Sequence, residues 1–226
     1  YESPRPIVVY RKDGTWESYS IPAEYTTLAN MIVDRNGYKW ALVVRGSGGV
    51  VVYNENAEGS SSNKYRILTT GNSELPSNDV YSLTVDRDGD VWIGTSEGTV
   101  VFECGSQMFS ANGCRGRKVI VEEDEIGEHL FKTEIVTAIA ADGADRKWFG
   151  TSSGIFVQSA NGEETIFRFT TDNSALPSNQ IVDININPDN GEVFIATEEG
   201  LVSYRSNSVT GGKTHADSVL VFPNPV

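Results

Sequence analysis

The chain has 226 residues, 18 Lys and Arg against 31 Asp and Glu, a net charge of −13, and only 2 His, 2 Cys and 2 Met. It is long enough to bury a core without metals or disulfides and lies in the range where an all-β domain runs as one unit. Its acidity excludes nucleic-acid binding that depends on neutralising phosphates and argues against docking on anionic lipid.

No run approaches eighteen apolar residues, so membrane insertion is not expected. Short Val-, Ile-, Thr- and Tyr-rich runs between Gly, Asn, Asp and Pro give a β composition. The chain starts at Tyr1 with neither an initiator Met nor an apolar signal core, as expected of a mature or truncated product. Ile7 to Tyr10 and Thr15 to Ser18, around a Lys12-Asp13-Gly14 turn, read as two outer strands.

Four copies of one pattern follow, at Leu28 to Tyr53, Val80 to Phe102, Val136 to Val157 and Ile181 to Tyr204. In three of them six residues separate an acid from a Trp: Asp34 and Trp40, Asp86 and Trp92, Asp142 and Trp148. The fourth has Phe194 in that slot and one extra turn residue, and the aromatics recur roughly every fifty residues. Each copy gives an apolar run, an Asp/Gly turn, a second run holding the aromatic, a Gly-bounded turn and a third run. A fourth strand is expected at Lys64 to Leu68, Arg117 to Glu122 and Thr165 to Thr170.

The fold expected is all-β: a β-propeller of four-stranded antiparallel blades with four repeats present. Trp40, Trp92, Trp148 and Phe194 are expected in equivalent buried places between blades, with small Ser82, Ala138 and Ala140 letting strands crowd near the axis. Residues 1–20 would be outer strands of a preceding or closing blade, 21–205 the four repeats, and 206–226 a linker and the start of a further domain. Closure as a four-bladed ring is one alternative. A partial ring of about seven blades is preferred, because unclosed ends leave edges that proteins normally cover.

The run from Leu75, LPSNDVYSLTVDRDGDVWIGTSEGTVVF, and its echo from Leu176, LPSNQIVDININPDNGEVFIATEEGLVSY, resemble the two-component regulator propeller repeat. Leu75, Pro76, Ser77, Asn78, Asp86, Gly89, Trp92, Ile93, Gly94, Thr95 and Gly98 carry the match. The first copy departs with Ala41-Leu42 for Ile-Gly, and the third with Lys132, Thr133 and Glu134 for Pro-Ser-Asn. The terminal Phe222-Pro-Asn-Pro-Val226 is similar to the opening of the C-terminal sorting domain of Bacteroidetes type IX secretion cargo. That pairing resembles the PorZ-like accessory proteins and implies export to the cell surface.

Cys104 and Cys114 flank turn residues and are placed to bridge; closing about eleven residues would contribute roughly 2–3 kcal/mol. A disulfide implies an oxidising compartment, two free thiols a reducing one. No nucleophile elbow, phosphate loop or dinucleotide fingerprint is present, and His129 and His215 lack ligand spacing with the cysteines. No enzyme activity, metal or cofactor is therefore expected. Asp86-Arg87-Asp88-Gly89-Asp90 resembles half a calcium loop, but its equivalents in other repeats favour a turn. The acidic run from Glu122 to Glu125 reads as a solvated loop.

Propeller geometry gathers the Leu-Pro-Ser-Asn and Gly-Thr-x-x-Gly loops on one face. Ser77, Asn78, Ser96 and Glu97 would sit beside Ser152 and Ser153, then beside Ser178, Asn179, Glu198 and Glu199. These hydroxyl, amide and carboxylate groups suit a glycan or peptide, or else serve only their own turns. The expected function is a non-catalytic extracytoplasmic recognition or scaffold module for surface polysaccharide or secretion machinery, with self-association through open blade edges as a further possibility. The alternatives are the oligosaccharide-sensing region of a hybrid two-component histidine kinase, and a propeller lyase.

Overall fold

The computed structural model describes residues 5–58, 63–111, 113–123, 126–206 and 208. The tail from Phe222, with the sorting-domain resemblance, lies outside the described residues. Three four-stranded antiparallel blades are ordered β3 (Leu28–Val33), β4 (Lys39–Val43), β5 (Val50–Tyr53), β6 (Tyr65–Leu68); β7 (Val80–Val85), β8 (Val91–Thr95), β9 (Gly98–Phe102), β10 (Arg117–Lys118); and β13 (Val136–Ala141), β14 (Lys147–Thr151), β15 (Gly154–Gln158), β16 (Thr165–Phe169). A fourth blade has three strands among the described residues, β17 (Ile181–Ile186), β18 (Glu192–Thr197) and β19 (Gly200–Arg205).

Hairpin β1 (Ile7–Tyr10) and β2 (Trp16–Tyr19) is a sheet of its own. Ile7 joins Val43, Val51 and Tyr53 of the first blade in one apolar cluster, against which Val9 and Tyr19 also pack. The hairpin therefore packs on the first blade, and among the described residues it is not paired with the fourth. Between β10 and β13 the structure inserts a hairpin, β11 (Ile120–Glu123) and β12 (Ile126–His129). This corrects the expectation of one strand from Arg117 to Glu122 and of a loop at Glu122 and Glu123; Asp124 and Glu125 lie outside the described residues. Buried Val119 and Leu130 at its base pack with Trp92 and Phe149, and the Leu130 amide donates to the Val119 carbonyl at 2.9 Å. That apolar anchor turns the chain out of the second blade.

In the first three repeats the first Asp organises the turn after the innermost strand, and in the fourth Asn187 Oδ1 accepts the Asp189 amide there. Asp34 Oδ1 accepts the amides of Asn36 and Tyr38, Asp86 Oδ1 those of Asp88, Gly89 and Asp90, and Asp142 Oδ1 those of Ala144 and Arg146. The second oxygen takes the indole N–H of Trp40, Trp92 or Trp148 at 2.9, 2.8 and 3.0 Å. Six residues are the separation at which one carboxylate can close the turn and clip the ring. In the Asp86 turn both carboxylate oxygens are thus engaged, one by turn amides and one by the indole.

Each clipped indole is only 1 % exposed because the next blade covers it. Trp40 meets Phe102 at 5.4 Å, Trp92 meets Phe149 at 5.8 Å, and Trp148 meets Tyr204 at 5.7 Å between ring centroids. Phe194 has the same register, opposite Asn185 as Trp40 is opposite Ile32. It is nevertheless 37 % exposed, correcting the expectation that all four aromatics are buried. Burial comes from the following blade, and among the described residues none follows.

Near the axis every innermost strand has a register irregularity after its first residues, at Ala29/Met31, Val80/Ser82, Val136/Ala138 and Ile181/Asp183. It re-aims side chains toward the neighbouring blade. Ser82 Oγ donates to the Val136 carbonyl at 2.9 Å, and Thr137 Oγ1 to that of Ile181 at 2.6 Å. Gly94 leaves room for this approach, since a Cβ there would sit 2.3 Å from Ser82 Oγ and 2.6 Å from the Val136 carbonyl oxygen. Gly94→Ala should cost about 1–3 kcal/mol by overpacking, checked by denaturant unfolding.

On the opposite face the turns touch: Arg35 Nη1 donates to the Asp88 carbonyl at 2.9 Å and the Arg87 amide to Asp145 Oδ1 at 2.8 Å. Lys147, fully buried, ion-pairs with Asp86 at 3.0 Å and Asp145 at 2.9 Å. Burial alone would raise the Asp86 pKa, but the Trp92 indole, Lys147 and the turn amides outweigh it and hold it below the usual 3.8. Its stabilisation is therefore present above that value and lost in acid. Asp90 behaves oppositely, pushed up to about 6 by burial and then by Asp86, Glu103 and Asp88. Stability should consequently fall as pH rises from about 4 to about 6, where the folded state gives up a proton that the unfolded chain has already lost. Asp90→Asn should raise the thermal midpoint at pH 7.5 and leave it unchanged below pH ~4, measured by melting across that range.

Cys104 and Cys114 form a disulfide with a Cα–Cα distance of 5.8 Å. It ties the end of β9 to the segment leading into β10.

Candidate functional site

The loop-bearing face is where the sequence places its ligand groups, and the structure divides those groups into two kinds. Asn78 Oδ1 accepts the Thr70 amide at 2.9 Å, and Asn179 Oδ1 accepts that of Thr171 at 2.8 Å. Ser77 Oγ accepts the Asp79 amide and the Ser96 hydroxyl, and Ser178 Oγ accepts the Gln180 amide. The hydroxyls of Ser152 and Ser153 both donate to Glu134, at 3.1 and 2.7 Å. These seven side chains close the loops into and between strands.

The carboxylates differ. Glu97, Glu198 and Glu199 are exposed, their backbone amides held by Thr95 Oγ1, the Gln180 carbonyl and Thr197 Oγ1. The buried threonines fix the turn while leaving its acids in water. Two residues that the sequence reading passed over join them: Asp79 and Gln180, the position after Ser-Asn in each loop. Gln180 Nε2 reaches the Ser152 carbonyl at 3.2 Å, linking the third and fourth blades. Their signal in the sequence was an equivalent polar residue at the same place in both copies.

Between the first and second blades the face opens into a cavity of about 290 Å³ lined by Arg45, Ser47, Asp79 and Tyr81 among others. Arg45 and Tyr81 are exposed beside that opening. A guanidinium, a phenol and carboxylates in water are equipped to bind by charge and hydrogen bonding. His129, which general acid–base chemistry would call on, instead has Nε2 2.6 Å from the Thr99 carbonyl oxygen, with its pKa lowered chiefly by burial. Among the described residues no group of three or more His, Cys, Asp or Glu could hold a metal ion, and no helix is long and apolar enough to cross a membrane.

This is a propeller architecture whose second repeat, residues 74–97, matches the two component regulator propeller family. The chain is similar to PorZ, an essential bacterial surface component of the type-IX secretion system of Porphyromonas gingivalis, with 27% identity and a TM-score of 0.78. The match covers 96% of this chain and 31% of PorZ, so the chain spans under a third of that protein's length. The extracellular domain of a one component system from B. thetaiotaomicron gives 18% identity and a TM-score of 0.57, over 87% of this chain and 24% of that one. Virginiamycin B lyase from Staphylococcus aureus gives 13% and 0.52, over 90% and 64%. These two likenesses concern the fold. No curated protein matches the sequence.

Asn78→Ala should cost about 1 kcal/mol by orphaning the Thr70 amide. Glu97→Ala and Glu198→Ala should each stay within about 0.5 kcal/mol of the parent, measured by chemical denaturation.

Proposed function

We propose that this propeller is a non-catalytic recognition module working outside the cytoplasm at the cell surface, and that its loop-bearing face docks a component of a secretion apparatus. The observation that carries this reading is the likeness to PorZ along 96% of the chain at 27% identity. The Cys104–Cys114 disulfide supports an oxidising location. The face supports contact with a polar partner, since its acids and Arg45 are exposed while its Ser and Asn groups keep the loops in shape.

A second reading, the oligosaccharide-sensing region of a two-component regulator, is favoured by the family match at residues 74–97. It uses the same face and differs in the partner, a sugar instead of a protein.

Capture of envelope proteins on immobilised propeller, followed by mass spectrometry, tests the proposal. Substituting Asp79, Glu97, Glu198 and Glu199 together with Ala should reduce capture of the specific partner by about tenfold or more, with an unchanged thermal midpoint. Undiminished capture would remove the loop face from the function, and binding of oligosaccharide alone would favour the sensing reading.

A further inference from the structure

The turn tip of the first blade departs from the repeat in both length and charge. Six residues, Val44-Arg45-Gly46-Ser47-Gly48-Gly49, separate β4 from β5, where each of the other three blades uses two. Those shorter tips carry hydroxyls and carboxylates, Ser96 and Glu97, Ser152 and Ser153, Glu198 and Glu199, whereas this one carries a guanidinium. Its extra length is more than the hairpin needs, which is where binding residues concentrate on a repeated scaffold.

The loop is tied at both ends and wedged in the middle. The Val44 amide donates to the Thr27 carbonyl at 3.0 Å and the Gly49 amide to that of Asn78 at 2.8 Å. Gly46 and Gly48 have φ of +81° and +65°. A Cβ at either would strike backbone, the Glu24 carbonyl oxygen at 2.6 Å or the Asn78 carbonyl oxygen at 2.3 Å. Arg45, of negative φ, followed by Gly46 at +81° is the backbone alternation that turns successive N–H groups, here those of residues 45–47, into one concavity suited to an anion.

These groups line the cavity of about 290 Å³ between the first two blades, together with Asp79, Tyr81 and the exposed Val44. Among the described residues, neither the Arg45 guanidinium nor the Asp79 carboxylate has an ion-pair partner, and they do not pair with each other. The complement is a single carboxylate, for Arg45 and the loop amides, with an N–H close by for Asp79. Glu97, Glu198 and Glu199 on the same face repel a polyanion, so the carboxylate must sit on a neutral or basic body. The last residue of a peptide has that chemistry, and the cavity lies at the small end of ligand sites, near the size of one residue.

We propose that this cavity receives the C-terminal residue of a peptide chain, its α-carboxylate on Arg45 and the amides of residues 45–47, its backbone N–H donating to Asp79, and its side chain against Val44 and Tyr81. The proposal rests on the reading of the loop face as a docking surface and names the part of the partner that enters it.

Titration of the isotopically labelled chain by NMR tests this, with N-acetylated tripeptides Ala-Ala-Xaa in which Xaa is Gly, Leu, Phe or Lys. Each is used as the free acid and as the C-terminal amide, with digalacturonate as a carboxylate carried on a sugar. At least one free acid should shift the Gly46 and Ser47 backbone amides, and its amide should bind about tenfold or more weakly. Arg45→Gln, at an exposed position, should weaken the acid by about tenfold or more and Asp79→Ala by several-fold. Lys12→Gln, which removes a cation from the distant hairpin turn, should change nothing. The proposal is overturned if no acid shifts those amides, if acid and amide bind equally, if Arg45→Gln binds undiminished, or if digalacturonate alone binds. The docking reading is scored apart, by envelope-protein capture. Capture that falls in the fourfold Ala variant but not in Arg45→Gln refutes the terminal residue and leaves docking in place.

Discussion

A buried carboxylate shared between a turn and an indole is the constraint on which the arc depends. Asp34, Asp86 and Asp142 each leave water almost completely, which is tolerable because both oxygens of each find donors. One oxygen closes the turn that reverses the innermost strand; the other fixes the plane and height of a Trp that the next blade then covers. Local hairpin geometry and blade-to-blade packing are thus determined by the same side chain. Lys147, buried under the Trp92 ring and paired with Asp86 and Asp145, extends the arrangement across one blade boundary.

The residues that made this legible in the sequence are those whose spacing has one physical solution. Six residues from acid to Trp, Gly at the turn and small Ser82 near the axis could be placed from the chain alone, and the strands at 65–68 and 165–169 followed from their alternation, whereas the close approach at Gly94 came only from the packing. The inserted hairpin was hidden because Arg117 to Glu122 reads as one strand. Only the tertiary burial of Val119 and Leu130 turns it outward. Phe194 misled for a related reason: its register is local, but its burial belongs to a neighbour.

The polar face shows how far repeat logic reaches toward function. Ser and Asn recur in the loops because the loops need them, as Asn78 and Asn179 demonstrate by accepting equivalent amides in different blades. What is exposed to meet a partner is the variable remainder, Asp79 and the glutamates at the turn tips, while Gln180 is exposed but also ties to the Ser152 carbonyl. A residue type repeated in every blade is therefore better evidence of architecture than of binding.

The most direct measurement is a double-mutant cycle on the carboxylate and the indole, using Asp86→Ala, Trp92→Phe and the pair, read by equilibrium unfolding in denaturant. A shared charge-assisted hydrogen bond predicts a coupling of about 1.5–3 kcal/mol, with the double variant less destabilised than the sum of the singles. Additive losses would contradict the account, leaving the turn and the indole as separate contributions that merely share a place in the repeat.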